Sequence, residues 1–249
     1  MGIKMNDADS FKKIVIIPVY NEQERIVQTI DQVIASDTLG LKKEIIVVND
    51  GSNDKTAEVV TGLTGVIKNL RLFDNKINQG KGAVVRQGML EAKGDFRLFT
   101  DADNSTSIDQ IEKMWIEFKN GYDIIIGSRD VKGAVLDPPQ PFLRNVILGQ
   151  SFKLFRKFIV GLWGIQDTQC GFKCFTKKAA ENIFPKCKIN RFAFDPEILI
   201  IAKKMSYKIK EIPVYWRNDP ESKVKPKWMV NMAVDLLKIR WNLLKGIYD

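Results

Sequence analysis

Short apolar runs that alternate with segments of helical periodicity constrain the fold of this 249-residue chain more than any other feature. Five runs are predicted strands: Lys13–Pro18, Glu44–Val48, Leu70–Phe73, Phe96–Thr100 and Tyr122–Gly127. Four segments between them are predicted helices: Glu24–Ala35, Asp54–Leu63, Gly82–Ala92 and Ile108–Phe118. Because strand and helix alternate, the sequence predicts an α/β fold, a Rossmann-like and mostly parallel sheet with helices on both faces.

Polar clusters follow all five predicted strands. They are Tyr20-Asn21-Glu22, Asn49-Asp50-Gly51-Ser52, Asn78-Gln79-Gly80-Lys81-Gly82, Asp101-Ala102-Asp103 and Ser128-Arg129. Each cluster alone is also typical of a turn or a helix cap. The carboxyl ends of parallel strands meet at one edge of a sheet, which is where such folds bind ligands. Together, the five clusters therefore predict a binding site.

The residue types in these clusters indicate what the site binds. Asp50, Asp101 and Asp103 supply carboxylates of the kind that Mg²⁺ or Mn²⁺ prefers. Lys81 and Arg129 add cations, and glycines beside a helix N-terminus let phosphate approach the backbone. The combination predicts a nucleotide diphosphate ligand. Neither the P-loop pattern nor the dinucleotide-binding glycine pattern is present in the sequence, which argues against a P-loop NTPase and a Rossmann dehydrogenase.

The chain contains no histidine and three cysteines. Zinc sites built on imidazole are therefore excluded, and any general base must be Asp, Glu, Lys, Tyr or Cys. Cys170, Cys174 and Cys187 form neither a disulfide framework nor a second metal-binding pair, so we expect reduced thiols in a cytosolic compartment.

Charge is unevenly distributed along the chain, which has a formal net charge of +9. Residues 1–137 carry a net charge of −3 and residues 138–249 carry +12. A basic half suits nucleic acid or an anionic membrane. Nucleic acid is not expected as a partner, because the aromatic residues lie among aliphatic residues rather than on a polar basic face.

Two apolar segments of the basic half favour the membrane. Residues 142–163 are interrupted by Arg144, Lys153, Arg156 and Lys157. Residues 228–248 place Asn231, Asp235, Lys238, Asn242 and Lys245 on one narrow helical stripe. The longest charge-free runs fall short of the roughly 20 residues that span a bilayer. With no apparent signal peptide, we expect a peripheral protein with interfacial helices on the cytoplasmic face, although a core helix or an oligomer interface also fits residues 228–248.

Ordered motifs resemble a known family. They are Ile17-Pro18-Val19-Tyr20-Asn21-Glu22, Val48-Asn49-Asp50-Gly51-Ser52, Asn78-Gln79-Gly80-Lys81-Gly82, Asp101-Ala102-Asp103, Gly127-Ser128-Arg129, Asp167-Thr168-Gln169-Cys170-Gly171-Phe172-Lys173, Phe194-Asp195-Pro196-Glu197 and Ser222-Lys223-Val224. The series looks like the inverting family 2 glycosyltransferases of GT-A fold, and within them the dolichyl-phosphate β-glucosyltransferases, with the mannose synthases more distant. Ser105 stands where the mannose synthases carry Gln, which favours the glucosyl branch.

The resemblance implies one domain, with a nucleotide-sugar half (1–137) and an acceptor and membrane half (138–249). Implied donor contacts are Pro18, Tyr20, Asn21, Glu22, Asp50, Gly80, Lys81, Asp101, Ala102 and Asp103, with Asp101 and Asp103 also binding Mg²⁺ or Mn²⁺. The acceptor phosphate would contact Arg129, Arg144, Lys173 and Lys223. Asp101, Asp103, Arg129, Asp167 and Lys173 form the implied catalytic set.

The implied reaction moves a hexose, glucose from UDP-glucose by preference, to dolichyl or another polyprenyl phosphate. A phosphate monoester has a second pKa near ~6 and is already a nucleophile at neutral pH, so this acceptor needs no general base. A hydroxyl acceptor would need one, and Asp167 is then the candidate. GDP-mannose and UDP-N-acetylglucosamine remain alternative donors, and a binding protein without turnover remains open.

Overall fold

The computed structural model describes residues 12–36, 43–139, 150–217 and 226–249. Its centre is a seven-stranded sheet with the order β3-β2-β1-β4-β7-β5-β8, beside a two-stranded sheet formed by β6 and β9. The strands are β1 (Lys13–Val19), β2 (Lys43–Asp50), β3 (Leu70–Asn75), β4 (Phe96–Thr100), β5 (Ile124–Ser128), β6 (Val135–Asp137), β7 (Phe172–Thr176), β8 (Ile209–Pro213) and β9 (Tyr215–Arg217).

Eight α-helices flank the sheet in the described ranges. They are α1 (Ile26–Ala35), α2 (Thr56–Thr64), α3 (Lys81–Glu91), α4 (Glu112–Lys119), α5 (Gln150–Val160), α6 (Lys177–Ile183), α7 (Phe194–Lys204) and α8 (Pro226–Leu244). The helix predicted over 108–118 is divided into a 3₁₀ turn, Ile108–Ile111, and α4.

The predicted mostly parallel sheet is confirmed. β1 pairs in parallel with both β2 and β4, and β2 pairs in parallel with β3. β7 lies antiparallel between β4 and β5, so β4 and β5 run in the same direction. The carboxyl ends of all five predicted strands therefore point to the same edge.

The insertion of β7 was not predicted from the sequence. Its five residues, Phe-Lys-Cys-Phe-Thr, have a charged residue second, so they lack the unbroken apolar run of a buried strand. The strand is nevertheless buried, because its lysine finds a carboxylate partner inside the protein.

Alternation along β1 divides the core between the two faces of the sheet. Ile14 and Ile16 pack with residues of α3, α6, α7 and α8, while Val15 and Ile17 pack with residues of α1, α2 and α4. Strands buried on both faces are what a continuous β-branched run such as Ile14–Ile17 predicts.

Helix α8 has an apolar side toward the core and another toward solvent. Met232, Leu236 and Ile239 are buried. Val230, Val234, Leu237, Trp241 and Leu244 are between 47% and 67% exposed. Asp235 of the predicted polar stripe is buried and accepts a hydrogen bond from Lys238, so that stripe does not face solvent along its whole length.

Helix α5 contacts α8 and is also apolar on its exposed side. Leu154 and Phe158 are 55% and 66% exposed, and Trp163, just after the helix, is 54% exposed. Within the described ranges, no helix combines the length and hydrophobicity needed to cross a bilayer.

Candidate active site at the carboxyl edge of the sheet

The loops after β1 and β2 are bonded to each other. The backbone N–H of Asn21 donates to Ser52 Oγ at 2.9 Å, and Asn21 Oδ1 accepts from the N–H of Asn53 at 2.9 Å. The N–H of Glu22 donates to Thr56 Oγ1 at 2.9 Å. The structure thus brings the first two predicted clusters together as one wall of the site.

Asp50 fixes the glycine-containing loop after β3. Its buried carboxylate accepts the backbone N–H of Gln79 at 2.7 Å and that of Gly80 at 2.9 Å. Burial raises the pKa of Asp50, and the two backbone donors offset part of that rise. Asp50 therefore fixes the conformation of this loop through both of its carboxylate oxygens. Its implied contact with a donor nucleotide stays a prediction.

Gly80 and Gly82 are required by close packing. Gly80 has a φ of +102°, and a Cβ on it would lie 2.5 Å from the carbonyl oxygen of Asn190. A Cβ on Gly82 would lie 2.6 Å from the carbonyl oxygen of Ile189. The loop therefore packs directly on residues 189–191, which places the N-terminus of α3 at the site with little freedom to move.

Lys81, the first residue of α3, reaches the end of β4. Its Nζ lies 2.5 Å from Asp101 Oδ1, and the two side chains are 27% and 32% exposed. Burial lowers the pKa of Lys81, but the charges of Asp101, Asp195 and Asp103 outweigh it and the pKa is raised overall. The lysine is therefore a cation held among carboxylates.

Asp103 accepts the backbone N–H of Ser105 at 2.9 Å. Its pKa is raised by burial and by the charge of Asp101, the mutual repulsion that an acidic pair creates. The intervening Ala102 is buried, and its carbonyl accepts from Thr29 Oγ1 at 2.8 Å, which anchors the acidic turn to α1.

Gly171 makes room for the Asp101 carboxylate. The N–H of Asp101 donates to the Gly171 carbonyl at 3.1 Å, and a Cβ on Gly171 would lie 2.1 Å from Asp101 Oδ2. No pattern in the sequence predicts this contact, because it depends on the antiparallel placement of β7 beside β4.

Arg129, directly after β5, forms a two-pronged ion pair with Asp167. Its Nε and second terminal nitrogen donate to the two carboxylate oxygens at 2.7 and 3.0 Å, and its backbone N–H donates at 3.1 Å. The guanidinium also lies 5.3 Å from the ring centre of Trp216. The side chain of Arg129 remains 23% exposed, so it can contact a ligand while paired.

The pairing makes Asp167 a poor base. Although burial alone would raise its pKa, the charge and hydrogen bonds of Arg129 and the N–H of Gln169 hold the pKa of Asp167 well below its usual range. A carboxylate with such a pKa accepts protons weakly at neutral pH. Its geometry is that of a residue that positions Arg129.

Lys173 is fully buried. Its Nζ donates to Asp195 Oδ1 and to the carbonyl of Cys170, both at 2.5 Å. A phosphate could reach this ammonium only if these contacts broke, so the geometry does not support its implied contact with the acceptor. We now expect Lys173 to hold Asp195 beneath the site.

The remaining residues implied as donor or acceptor contacts differ in exposure, and two of them lie outside the described ranges. Tyr20 is 40% exposed just after β1, whereas Pro18 is buried within the strand. Arg144 and Lys223 lie outside the described residues and stay predictions. The structure adds four residues to the surroundings of the site: Gly171 beside Asp101, Asp195 beside Lys173, Trp216 beside Arg129, and Glu211, which accepts the backbone N–H of Asp167 at 2.9 Å.

The three cysteines are free and buried, as expected for reduced thiols. Burial raises the pKa of Cys170 to about 12, so this thiol beside the site stays protonated and unreactive.

Comparison with known proteins gives consistent results. Residues 14–184 match the family model of Glycosyl transferase family 2. A dolichyl-phosphate beta-glucosyltransferase of Trichomonas vaginalis is 38% identical over 245 residues, which cover 94% of this chain and 72% of the relative. The human dolichyl-phosphate beta-glucosyltransferase is 33% identical over 250 residues, covering 94% of this chain and 76% of the relative.

Solved structures of low sequence identity share the fold. Mannosyl-3-phosphoglycerate synthase from Rubrobacter xylanophilus superposes with a TM-score of 0.67 at 15% identity, covering 95% of this chain and 75% of that one. Glucosyl-3-phosphoglycerate synthase from Mycobacterium tuberculosis, in complex with Mn²⁺, UDP and phosphoglyceric acid, gives 0.63 at 16% identity, covering 99% and 84%.

Proposed function

This chain belongs to glycosyl transferase family 2, and from that premise we propose that it transfers glucose from UDP-glucose to dolichyl or another polyprenyl phosphate at a membrane surface. It is a glycosyltransferase with the GT-A fold. The choice of sugar and acceptor is supported by relatives at 33–38% identity that carry the name dolichyl-phosphate beta-glucosyltransferase. The observation that carries the proposal is that an acidic pair after β4 and a partly exposed arginine after β5, held in place by Asp167, lie at the same edge of the sheet.

The acidic pair fits a divalent cation. Asp101 Oδ1 is buried with the cation of Lys81 at 2.5 Å, Ser105 Oγ is buried without a hydrogen-bond partner among the described residues, and burial and the charge of Asp101 raise the pKa of Asp103. No cluster of three or more acidic or cysteine ligands occurs in the ranges that the structure covers. Two carboxylates suit Mg²⁺ or Mn²⁺ completed by phosphate and water. Bound by Asp101 and Asp103, such an ion would neutralise the charge that develops on the leaving diphosphate.

The acceptor needs no base from the protein. An oxygen of the phosphate monoester, already charged, attacks the anomeric carbon of glucose as the bond from that carbon to the diphosphate oxygen breaks. Attack from the face opposite the leaving group inverts the anomeric configuration, and nucleoside diphosphate departs with the bonding electrons. In this proposal Arg129 binds the incoming phosphate, and the support for it is that Asp167 holds the guanidinium in place while part of the side chain stays exposed.

Gly171→Ala tests the placement of Asp101. The new Cβ would overlap the carboxylate at 2.1 Å, so Asp101 must move by about 1 Å, a displacement that costs about 100-fold in rate. We expect kcat/KM for sugar transfer to fall by that factor. Gly62→Ala is the matched control, since nothing lies within 4 Å of its Cβ, and it should leave the rate unchanged. Wild-type kinetics in Gly171→Ala would contradict the placement.

The exposed apolar residues of α5 and α8 are the proposed membrane contact. Leu154, Phe158, Trp163, Leu237 and Trp241 are between 51% and 66% exposed and lie on, or just after, two helices that contact each other. The basic charge of residues 138–249 suits anionic headgroups, and a prenyl acceptor must be met at a bilayer. Three free cysteines suit the reducing side of the membrane, so we place the enzyme on the cytoplasmic face.

The double substitution Leu237→Glu with Trp241→Glu tests this contact. Each side chain contributes about 1.5–3 kcal/mol when buried in an apolar phase, so vesicle binding should weaken by at least tenfold. The measurement is co-sedimentation with vesicles of phosphatidylcholine and phosphatidylserine. Val66→Glu, a substitution at a 76% exposed position of the other half, should bind like wild type. Unchanged binding of the double variant would refute the assignment.

The proposed reaction is tested by incubating the protein with Mg²⁺ or Mn²⁺, polyprenyl phosphate in vesicles and one radiolabelled donor at a time. UDP-glucose should label an organic-extractable product faster than GDP-mannose or UDP-N-acetylglucosamine. Preference for another donor would change the sugar assigned to the reaction but would leave the reaction type, transfer to polyprenyl phosphate, intact. No labelled lipid with any donor would overturn the proposal.

A further inference from the structure

The ammonium of Lys81 occupies the edge of the acidic pair. Gly80 and Gly82 are packed against the carbonyls of Asn190 and Ile189, so the backbone on both sides of Lys81 is fixed. The side chain extends from α3 to the end of β4 and places Nζ 2.5 Å from Asp101 Oδ1. The ion pair therefore joins two of the loops that form the donor site.

The contact is a close ion pair between one ammonium and one carboxylate oxygen. Among the described residues, Asp101 Oδ1 is buried and receives no hydrogen bond of acceptable geometry. The other oxygen, Oδ2, packs against Gly171. In the described residues Lys81 thus supplies the positive charge beside Asp101 Oδ1, the kind of oxygen that a divalent cation also binds.

Lys173, the other lysine whose charge acts on Asp195, differs from Lys81 in burial and in the contacts of its ammonium. Lys173 is 0% exposed and is held by Asp195 and by the Cys170 carbonyl. Lys81 is 27% exposed, and among the described residues its ammonium forms an ion pair with Asp101. Of these two ammonium groups, Lys81 is the one that can move without breaking a buried hydrogen-bond network.

We propose that Lys81 is a displaceable counter-ion that competes with a divalent cation for Asp101. Binding of the cation would release the ammonium toward the diphosphate oxygens of the donor, so that one lysine stabilises the acidic pair before binding and the leaving group afterward. The inference rests on the metal site of the proposed function. Beyond that metal site, the inference says that the ammonium of Lys81 and the divalent cation exchange places at the Asp101 carboxylate.

The test is the affinity of the full chain for Mn²⁺ alone, measured from the free-ion signal in electron paramagnetic resonance. Lys81→Met removes the competing charge and should bind Mn²⁺ about tenfold more tightly than wild type, as two unit charges in contact at a partly exposed site imply. Lys81→Arg keeps the charge and should stay near wild type. Lys68→Met, at an exposed position away from the site, should also match wild type.

A second measurement does not depend on any variant folding. In wild-type protein with ¹³Cε-labelled lysine, Mg²⁺ should shift the Lys81 resonance and leave that of buried Lys173 nearly unchanged. Two results would overturn this inference while leaving the proposed function intact. One is a Mn²⁺ affinity of folded Lys81→Met that is equal to or weaker than that of wild type, and the other is a Lys81 resonance that does not shift at saturating Mg²⁺. If wild type binds no Mn²⁺ and the donor with the acceptor does not induce binding, the metal site itself fails and the inference fails with it.

Discussion

Asp103→Asn is expected to lower kcat/KM for glucosyl transfer by about 1,000-fold while the protein stays folded. The substitution keeps the shape of the side chain and the acceptor for the Ser105 N–H, but removes half of the acidic pair's charge. Loss of one preorganised electrostatic contact to a leaving group costs about 10²–10³ in rate, and a weakened cation site brings the effect to the upper end. Steady-state kinetics with saturating Mg²⁺ measure it.

The matched control is Asp31→Asn, which removes the same charge from an exposed position on α1. It should keep wild-type kinetics. Thermal unfolding of Asp103→Asn should show no loss of stability, because removing one of two repelling carboxylates relieves strain. An Asp103→Asn enzyme with more than a tenth of wild-type activity would contradict the role given to the acidic pair.

Arg129→Gln is expected to lower stability at pH 7 by about 3–5 kcal/mol, because it leaves the Asp167 carboxylate buried and without its cation. It should also reduce transfer by about 100-fold, since the exposed part of the guanidinium is the proposed acceptor contact. Urea unfolding measures the first effect, and kinetics with varied polyprenyl phosphate measure the second.

The stability deficit should depend on pH with a defined sign. The pKa of Asp167 is lowered in the folded wild type, so its contribution is fully present above the unfolded pKa of roughly 3.9 and is lost as the pH falls through the lower folded value. Without Arg129, burial raises the pKa of Asp167 instead. The difference between wild type and Arg129→Gln should therefore be largest near neutral pH and shrink below about pH 4.

A double variant separates the two roles of Arg129. Arg129→Gln with Asp167→Asn removes the buried charge and should recover most of the lost stability, as a double-mutant cycle of a coupled pair predicts. It should not recover transfer, because no guanidinium meets the acceptor. Recovery of activity together with stability would mean that Arg129 acts only as a structural partner of Asp167.

Most of the candidate site could be predicted from the sequence, because it lies at the edge of the sheet where the predicted strands end. Each strand-ending cluster from Tyr20 to Arg129 is local: the strand is recognisable from its apolar run, and its polar residues follow directly. Parallel pairing then brings the clusters together. The sequence alone therefore predicts that Asp50, Lys81 and Asp101 lie near one another. In the structure Asp50 binds the loop that precedes Lys81, and Lys81 contacts Asp101.

The contacts that the sequence does not predict depend on β7. Its antiparallel insertion puts Gly171 against Asp101 and buries Lys173 on Asp195, a residue 22 positions away. Lysine on a strand looks like a solvent-facing cation from sequence alone. Only the tertiary placement of a buried carboxylate makes it an internal ion pair, and so the acceptor role implied for Lys173 is not supported by the geometry.

The surface of α8 is a second feature that the sequence pattern could not resolve. Outside the narrow polar stripe the helix is almost entirely apolar, which fits a core helix, an oligomer interface or a lipid-facing helix, and the structure has apolar residues facing both the core and solvent. Leu236 faces the core and Leu237 faces solvent. Adjacent residues of similar hydrophobicity point in different directions, so composition alone could not divide them between core and membrane contact.

The central claim is that the nucleophile is a lipid phosphate oxygen and that no protein base takes part. The most direct test is the ¹H and ³¹P NMR spectrum of the lipid formed from UDP-glucose, with polyprenyl phosphate and the matching polyprenol offered side by side. We expect a β-glucosyl phosphodiester from the phosphate and no product from the alcohol. An α-linked product, or glucosylation of the polyprenol, would contradict the account.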